Sequence, residues 1–269
     1  MTVKFGMIGG GVMGEAILSR LLQQKIYAPA EVIISEPMAE RRDYLQQEYQ
    51  VQVTADNAQA ANVSGVLMLA IKPQILSKVT TELRQQNLRE RPLVLSILAG
   101  VTLETLMGGF KGYPIIRAMP NTPAVVGQGM TAIAPSESVS LVQVELAKTI
   151  FEAVGQVVEV PESLMDAVTG LSGSGPAFVA LMVEALADGG VLAGLPRNIA
   201  QQLALQTVKG TAELLQDSGL HPAQLKDRVT SPGGTTIAGV ATLEAHGFRS
   251  AVMEAVNSAK ERSAELGQE

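Results

Sequence analysis

Three short stretches of this chain gather small residues, hydroxyls and helix-start N–H groups in patterns that could hold an anion. The first is Gly9-x-Gly11-x-x-Gly14, directly after the apolar run Val3-Lys4-Phe5-Gly6-Met7-Ile8. Glycines at that spacing let a chain turn sharply, bring its backbone close to a pyrophosphate and lay a helix against a strand. Standing alone, glycines that merely permit close packing would read the same way; between a strand and a helix they point to a dinucleotide. The second stretch is Ser231-Pro232-Gly233-Gly234-Thr235-Thr236, where proline and two glycines break one helix and two threonines open the next. Unpaired N–H groups and hydroxyls converge at such a start and would seat a small carboxylate. An ordinary helix cap in a tight loop has the same sequence. The third is Leu171-Ser172-Gly173-Ser174-Gly175-Pro176, either an anion- or amide-binding turn before a helix or a turn packed closely on another backbone.

These groups need a frame. Glu31-Val32-Ile33-Ile34-Ser35 reads as a second strand, followed by a polar helix from Met38 to about Tyr49. Val66-Leu67-Met68-Leu69-Ala70-Ile71, Leu93-Val94-Leu95-Ser96-Ile97 and Pro114-Ile115-Ile116-Arg117-Ala118-Met119 are apolar runs of strand length, as in strands buried on both faces. They stop at Lys72-Pro73, Ala99-Gly100 and Pro120-Asn121-Thr122-Pro123, so turn-forming and polar residues collect at the carboxyl edge of a parallel sheet. Ligands bind at that edge in open α/β folds. Closing strands are expected at 130–134 and 156–160, with a helix over 141–154 between them.

From Pro161 the strand pattern disappears, and helices are expected at 164–169, 176–193, 196–218, 222–229, 236–246 and 248–266. The expected fold is therefore α/β plus all-α. A Rossmann-like doubly wound sheet occupies residues 1–160, and a helical dimerisation domain occupies residues 161–269. The helix from Pro176 is apolar on nearly every side, yet it carries Glu184, Asp188 and a glycine pair and is short for a membrane span. A helix apolar all round needs cover all round, which argues for a homodimer and against a membrane.

Composition narrows the chemistry. The chain has 269 residues, a formal charge of −6 and no basic stripe, which argues against a nucleic-acid partner. It has no cysteine, and its two histidines, His221 and His246, make no metal site, so thiolate and zinc chemistry are excluded. A strand that starts near the third residue leaves no room for a signal peptide, so a cytoplasmic protein is expected. His221 before Pro222 is expected to shape a turn, and His246 before Gly247 to end a helix. Glu36 stands about where such folds place the acid that accepts from the adenosine ribose, which disfavours a 2′-phosphate. Ser35, Arg41 and Arg42 nearby would favour one, or the arginines simply face solvent. NADPH and NADH both remain open.

Val168 through Ala177, Ala185 through Val191, Gly194-Leu195-Pro196, Leu225 through Thr236 and Gly247-Phe248-Arg249 resemble pyrroline-5-carboxylate reductases, as do Ala70-Ile71-Lys72-Pro73 and Met119 through Pro123. The resemblance spans nearly the whole chain in order. It implies hydride transfer from NADPH or NADH to the C=N carbon of 1-pyrroline-5-carboxylate, giving L-proline. It adds Gly10, Val12 and Met13 to the phosphate turn formed by Gly9, Gly11 and Gly14, and places Ser35 and Pro37 near the adenosine ribose. Asn57, Ala70, Ile71, Lys72 and Ala99 continue the cofactor site toward the nicotinamide. Substrate contacts fall on Ser231, Gly233, Gly234, Thr235 and Thr236, with the Thr236 hydroxyl near the ring nitrogen as the catalytic group. Ser174, Gly175 and Pro176 would close the pocket from a partner subunit, and family members build larger rings from dimers. Phe178 stands where a tyrosine is common, and Glu36 is an unusual neighbour for the ribose.

The residues suit that substrate. A carbonyl calls for a general acid as its oxygen gains charge. A cyclic imine collects its proton from water near neutrality, so hydroxyls and N–H groups that position it suffice, and Lys72 as an acid is a minority reading. Two rivals remain. Hydroxyacid dehydrogenases share Gly170 through Gly175 but carry a catalytic lysine where this chain has Val179. A non-catalytic dinucleotide-binding protein would keep the fold without the reaction.

Overall fold

The computed structural model describes residues 3–86 and 88–267. Its strands are β1 (Phe5–Ile8), β2 (Val32–Ser35), β3 (Gln52–Thr54), β4 (Val66–Leu69), β5 (Leu93–Ser96), β6 (Ile115–Met119), β7 (Gly129–Pro135) and β8 (Gly155–Glu159). They form one sheet in the order β3-β2-β1-β4-β5-β6-β7-β8. Pairing is parallel from β3 through β6; β7 runs antiparallel to β6, and β8 is parallel to β7. The chain winds outward from β1 in one direction and then from β4 in the other. That reversal opens a crevice beyond the carboxyl ends of β1 and β4.

Strand periodicity explains the continuous apolar runs. Phe5, Met7, Met68, Leu93, Leu95 and Ile116 enter one core, with α1 (Val12–Gln23) and α6 (Leu141–Glu152). Ile8, Leu67, Leu69, Val94 and Ile115 enter the opposite core, with α3 (Asn57–Ala61), α4 (Leu76–Arg84) and α5 (Leu103–Gly109). Side chains alternate across a strand, so only a sheet covered on both faces needs every position apolar. The elements β3, α3, α4 and α5 add to those expected from sequence. All are short, and their signals are local. Asp56 and Thr102 cap α3 and α5 through bonds from the N–H groups of Ala58 and Thr105. In α4, Leu76, Val79, Thr80 and Leu83 are the buried positions of a helical stripe.

Glu15, in the first turn of α1, fastens α2 (Ala39–Tyr49) beside the glycine turn. It pairs with Arg41, and its Oε1 accepts from the hydroxyls of Tyr44 at 2.9 Å and Tyr49 at 2.8 Å. Partial burial pushes the Glu15 carboxyl up, but the donors from Arg41, Tyr49 and Tyr44 outweigh it and hold the carboxyl below its ordinary range.

A second polar cluster lies deeper. Arg117 on β6 is 4% exposed; its guanidinium meets Glu162 Oε1 at 3.2 Å and Asp166 Oδ1 at 3.8 Å. Glu162 Oε1 also accepts the N–H of Leu103 at 2.5 Å, and Asp166, on α7 (Met165–Val168), accepts from Ser263 Oγ at 2.8 Å. Ser263 belongs to α12 (Phe248–Leu266). The end of that helix also reaches the turn after β5, where a Cβ on Gly267 would stand 2.7 Å from the Gly100 carbonyl oxygen.

By packing, the chain forms two compact units. One holds the sheet, the chain through Ser174 and the segment from Ser258; the other is Gly175–Asn257. The change of architecture near residue 160 and the division by packing thus do not coincide, because residues 161–174 and the end of α12 pack with the sheet. The second unit comprises α8 (Gly175–Leu192), α9 (Arg197–Ser218), α10 (Pro222–Val229), α11 (Thr235–Ala245) and the first part of α12. Its buried cluster is only Ala187, Ala200 and Ala204, while Leu181, Leu186, Leu192 and Leu203 are exposed.

Both polar clusters can be tested by denaturation. Arg117→Met leaves two carboxylates facing each other without their cation and should lower the unfolding free energy by about 3 kcal/mol. Glu15→Gln should cost roughly 1 kcal/mol at pH 7. A carboxyl lowered in the folded state stabilises above its unfolded value and loses that effect as pH falls. The gap between Glu15→Gln and the parent should therefore close as pH is taken below about 4.3. An unchanged gap at low pH would show that the stabilisation is not ionic.

Candidate active site

The parallel strands β1 to β6 bring their carboxyl ends to one edge, and most candidate cofactor residues lie along it. Gly9 follows β1 with φ +101°, a conformation that L side chains rarely adopt, and a Cβ there would meet the Ala70 carbonyl oxygen at 2.5 Å. Gly14 is closed in as well, its Cβ position 2.8 Å from the Gly9 oxygen. Gly11 differs. It is exposed, nothing lies within 4 Å of its Cβ position, and it begins α1 with no capping side chain. Two glycines therefore fit the turn between β1, β4 and α1, and the third keeps the helix start open.

Helices α2, α4, α7 and α9 also start without a side-chain cap, on Met38, Ile75, Leu164 and Pro196, whereas α1 and α11 start on glycine. Side chains of Asp56, Thr102, Ser140 and His221 cap α3, α5, α6 and α10. By contrast, α1 and α11 begin on Gly11 and Gly234 without a side-chain bond. The first N–H groups of a helix have no partner within it, and the helix dipole favours negative charge there. The start of α1 thus fits the phosphates of a dinucleotide, with Gly11, Val12 and Met13 at the opening and Val12 77% exposed.

The other cofactor candidates divide into exposed and committed groups. Pro37, Lys72 and Ala99 are exposed at the ends of β2, β4 and β5, and Ala70 and Ile71 are half-buried beside Lys72. Ser35 is buried; its hydroxyl donates to Asn57 Oδ1 at 2.7 Å, and Asn57 Nδ2 donates to Glu82 Oε2 at 2.9 Å. Glu36 turns under the phosphate turn, where its Oε2 accepts the Gly10 N–H at 3.0 Å.

Ser231, Gly233 and Gly234 lie in the link between α10 and α11, and Thr235 and Thr236 are the first residues of α11. Ser231 C=O accepts the Gly234 N–H at 3.1 Å, and Gly233 between them has φ +67°. Proline at the second position and left-handed glycine at the third are the pattern of a type II turn. A Cβ on Gly234 would stand 2.3 Å from Ser231 Oγ, so glycine alone lets the serine hydroxyl lie over the start of α11. Thr235 and Thr236 supply the first helical N–H groups and two hydroxyls. This arrangement can hold a carboxylate and present a hydroxyl beside it.

The third stretch departs from expectation. Residues 169–173 form a single π-helical turn, with the Ser174 N–H donating to the Thr169 oxygen at 2.9 Å, and the chain passes directly into α8 at Gly175. The Ser174 N–H is therefore not free for an anion. Asn121, which the sequence reading did not place among the site residues, fixes this turn: its Nδ2 donates to the Ser172 carbonyl and Oγ, both at 3.2 Å, and its Oδ1 accepts the Met130 N–H at 2.8 Å. An asparagine between two prolines at a strand end was the available signal. His221 caps α10 and His246 ends α11, as the sequence suggests.

Comparison with known proteins covers both halves of the chain. Residues 162–266 match the family described as pyrroline-5-carboxylate reductase dimerisation, and residues 4–100 match one described as NADP oxidoreductase, coenzyme F420-dependent. Pyrroline-5-carboxylate reductase of Synechocystis sp. is 66% identical over 267 residues, covering 99% of both chains. A solved pyrroline-5-carboxylate reductase from Coxiella burnetii superposes with a TM-score of 0.92 at 34% identity over 99% of both chains. The enzyme from Plasmodium falciparum, solved with NADP bound, gives 0.87 at 31% identity over 98% of both. Likeness of this extent, in sequence and in fold and from end to end, means that the chain belongs to the pyrroline-5-carboxylate reductase family.

Proposed function

We propose that this chain reduces 1-pyrroline-5-carboxylate to L-proline, the last step of proline biosynthesis, with NADPH or NADH. The observation that carries the reading is full-length identity of 66% with the Synechocystis reductase. A reduced nicotinamide dinucleotide supplies the hydride. The chain's own residues bind and orient. The open start of α1, with Gly9, Gly10, Gly11, Val12, Met13 and Gly14, holds the phosphates. Ser35 and Pro37 border the adenosine ribose, and Asn57, Ala70, Ile71, Lys72 and Ala99 continue the site toward the nicotinamide.

The turn of Ser231, Gly233, Gly234 and Thr235 receives the substrate carboxylate on the N–H groups that open α11. Thr236 places its hydroxyl at the ring nitrogen. Ser174, Gly175 and Pro176 complete the pocket from a second subunit, with their backbone ordered by the π-helical turn rather than serving as donors. The imine is basic enough to be protonated by water, so its reduction asks mainly for fixed geometry. Positioning of this kind contributes on the order of 7–11 kcal/mol.

The protein acts as a soluble cytoplasmic homodimer, which can assemble into a larger ring. The continuous helical run Glu162–Leu192 is long and apolar enough to cross a membrane, and only 6% of its most apolar window is buried. A bilayer would have to take in Glu184 and Asp188; a second copy need not, and the matched dimerisation family covers this segment. Apolar faces left open around a core of three alanines are what an intertwined partner would bury.

Purified protein should oxidise NADPH or NADH when pyrroline-5-carboxylate is added, read as loss of absorbance of the reduced nicotinamide. Oxidation of hydroxyacids without imine reduction would favour a dehydrogenase, and cofactor binding without turnover a non-catalytic protein. Thr236→Val should lower kcat/KM about 10- to 100-fold and leave cofactor affinity unchanged; equal loss of cofactor binding would remove Thr236 from the substrate side. Light scattering should give at least a dimer for the parent, and Leu181→Asp with Leu203→Asp should shift it to monomer or aggregate. A folded, active parent monomer would sink the dimer.

A further inference from the structure

Building on the reductase reading, we infer that Glu36 makes this chain select NADH, with its unsubstituted adenosine ribose, over NADPH. In a fold of this kind the ribose lies beside the residue that follows β2. Here that residue is Glu36, 8% exposed and fixed from two sides. Its Oε2 accepts the Gly10 N–H at 3.0 Å and its Oε1 accepts the Met38 N–H at 3.1 Å. The side chain is thus part of the phosphate turn and cannot swing away without releasing that turn. A carboxylate keeps lone pairs for two ribose hydroxyls and offers a phosphate no donor. A 2′-phosphate would bring its own negative charge against it.

The groups that could compensate are committed elsewhere. Arg41 donates from Nε to the Gly10 carbonyl at 2.7 Å, pairs with Glu15 and lies 4.9 Å from the Tyr44 ring centroid. Arg42 donates from Nη1 to the carbonyls of Glu36 and Pro37, both at 2.8 Å. The Ser35 hydroxyl is given to Asn57, and the Asn57 amide to a second carboxylate, Glu82. Both arginines therefore serve as braces of the two turns, Arg41 on the glycine turn and Arg42 on the exit from β2. These bonds hold each guanidinium in place, so neither can swing as a whole onto a 2′-phosphate without breaking them. A ribose diol asks only for an acceptor.

The test uses ADP-ribose and 2′-phospho-ADP-ribose, which differ only in the phosphate at issue and carry no nicotinamide, with affinities read by isothermal titration calorimetry. The parent should bind ADP-ribose at least about 10-fold more tightly. Glu36→Gln and Glu36→Ser should each narrow that preference. Thermal melts report whether each variant is folded. Should Glu36→Ser not fold, the parent and Glu36→Gln still decide. Equal or tighter binding of the 2′-phosphorylated ligand by the parent overturns the selectivity and leaves the reductase reading standing. Binding of neither ligand overturns both.

Discussion

A guanidinium buried in a sheet dictates what must surround it, and Arg117 exerts that demand on this fold. Its carboxylate partners, Glu162 and Asp166, come from the segment that begins the helical half, and Asp166 in turn takes a hydroxyl from Ser263 near the end of the last helix. Glu162 also closes the N-terminus of α5 by accepting from Leu103. One strand position thus ties together a crossover helix, the departure of the chain toward the helical unit and its return. Ion pairs at depth are poor stabilisers in net terms, since desolvation offsets attraction. Their value here is placement, because only this arrangement of segments leaves the charge compensated.

Much of the sheet was legible because its signals are dense. Runs such as Val66-Leu67-Met68-Leu69 admit few alternatives to a strand covered on both faces, and the glycine turn after β1 marks both its end and the next helix. The helical half was legible by periodicity, and the family match over 162–266 begins where the strand pattern ends, while the division by packing falls later in the chain. Residues 161–174 and the end of α12 belong with the sheet through Arg117, Ser263 and the Gly100 to Gly267 approach, and no local pattern announces a contact between residues so far apart. The π-helical turn at 169–173 was hidden for another reason. Two serines, two glycines and a proline are turn formers by composition, and the bonds from the Asn121 side chain and the close approach of Gly173 to Met119, which hold the segment helical, come from distant parts of the chain.

At the candidate site, sequence could name donors but not say which were already engaged. Ser35, Arg41, Arg42 and Asn57 look alike on paper as partners for a phosphate. Their hydrogen bonds show each one occupied in holding the backbone or a neighbour, whereas Gly11 and Gly234 start α1 and α11 with no side-chain cap hydrogen bond. The candidate anion seats in this chain are the helix starts that fall on glycine. Glu36 was visible as an acid after β2; its tie to Gly10 was not.

The return of α12 to the sheet also bears on how the protein is made. Gly175–Asn257 is in effect inserted into the other unit, whose later contributions, Ser263 and Gly267, follow it in the chain. At roughly 5–20 residues per second of translation, the strands emerge many seconds before the serine that completes the cluster around Asp166. The nascent sheet must persist through that interval with the Arg117 cluster unfinished, and the cluster can close only after the helical unit between its parts has been made.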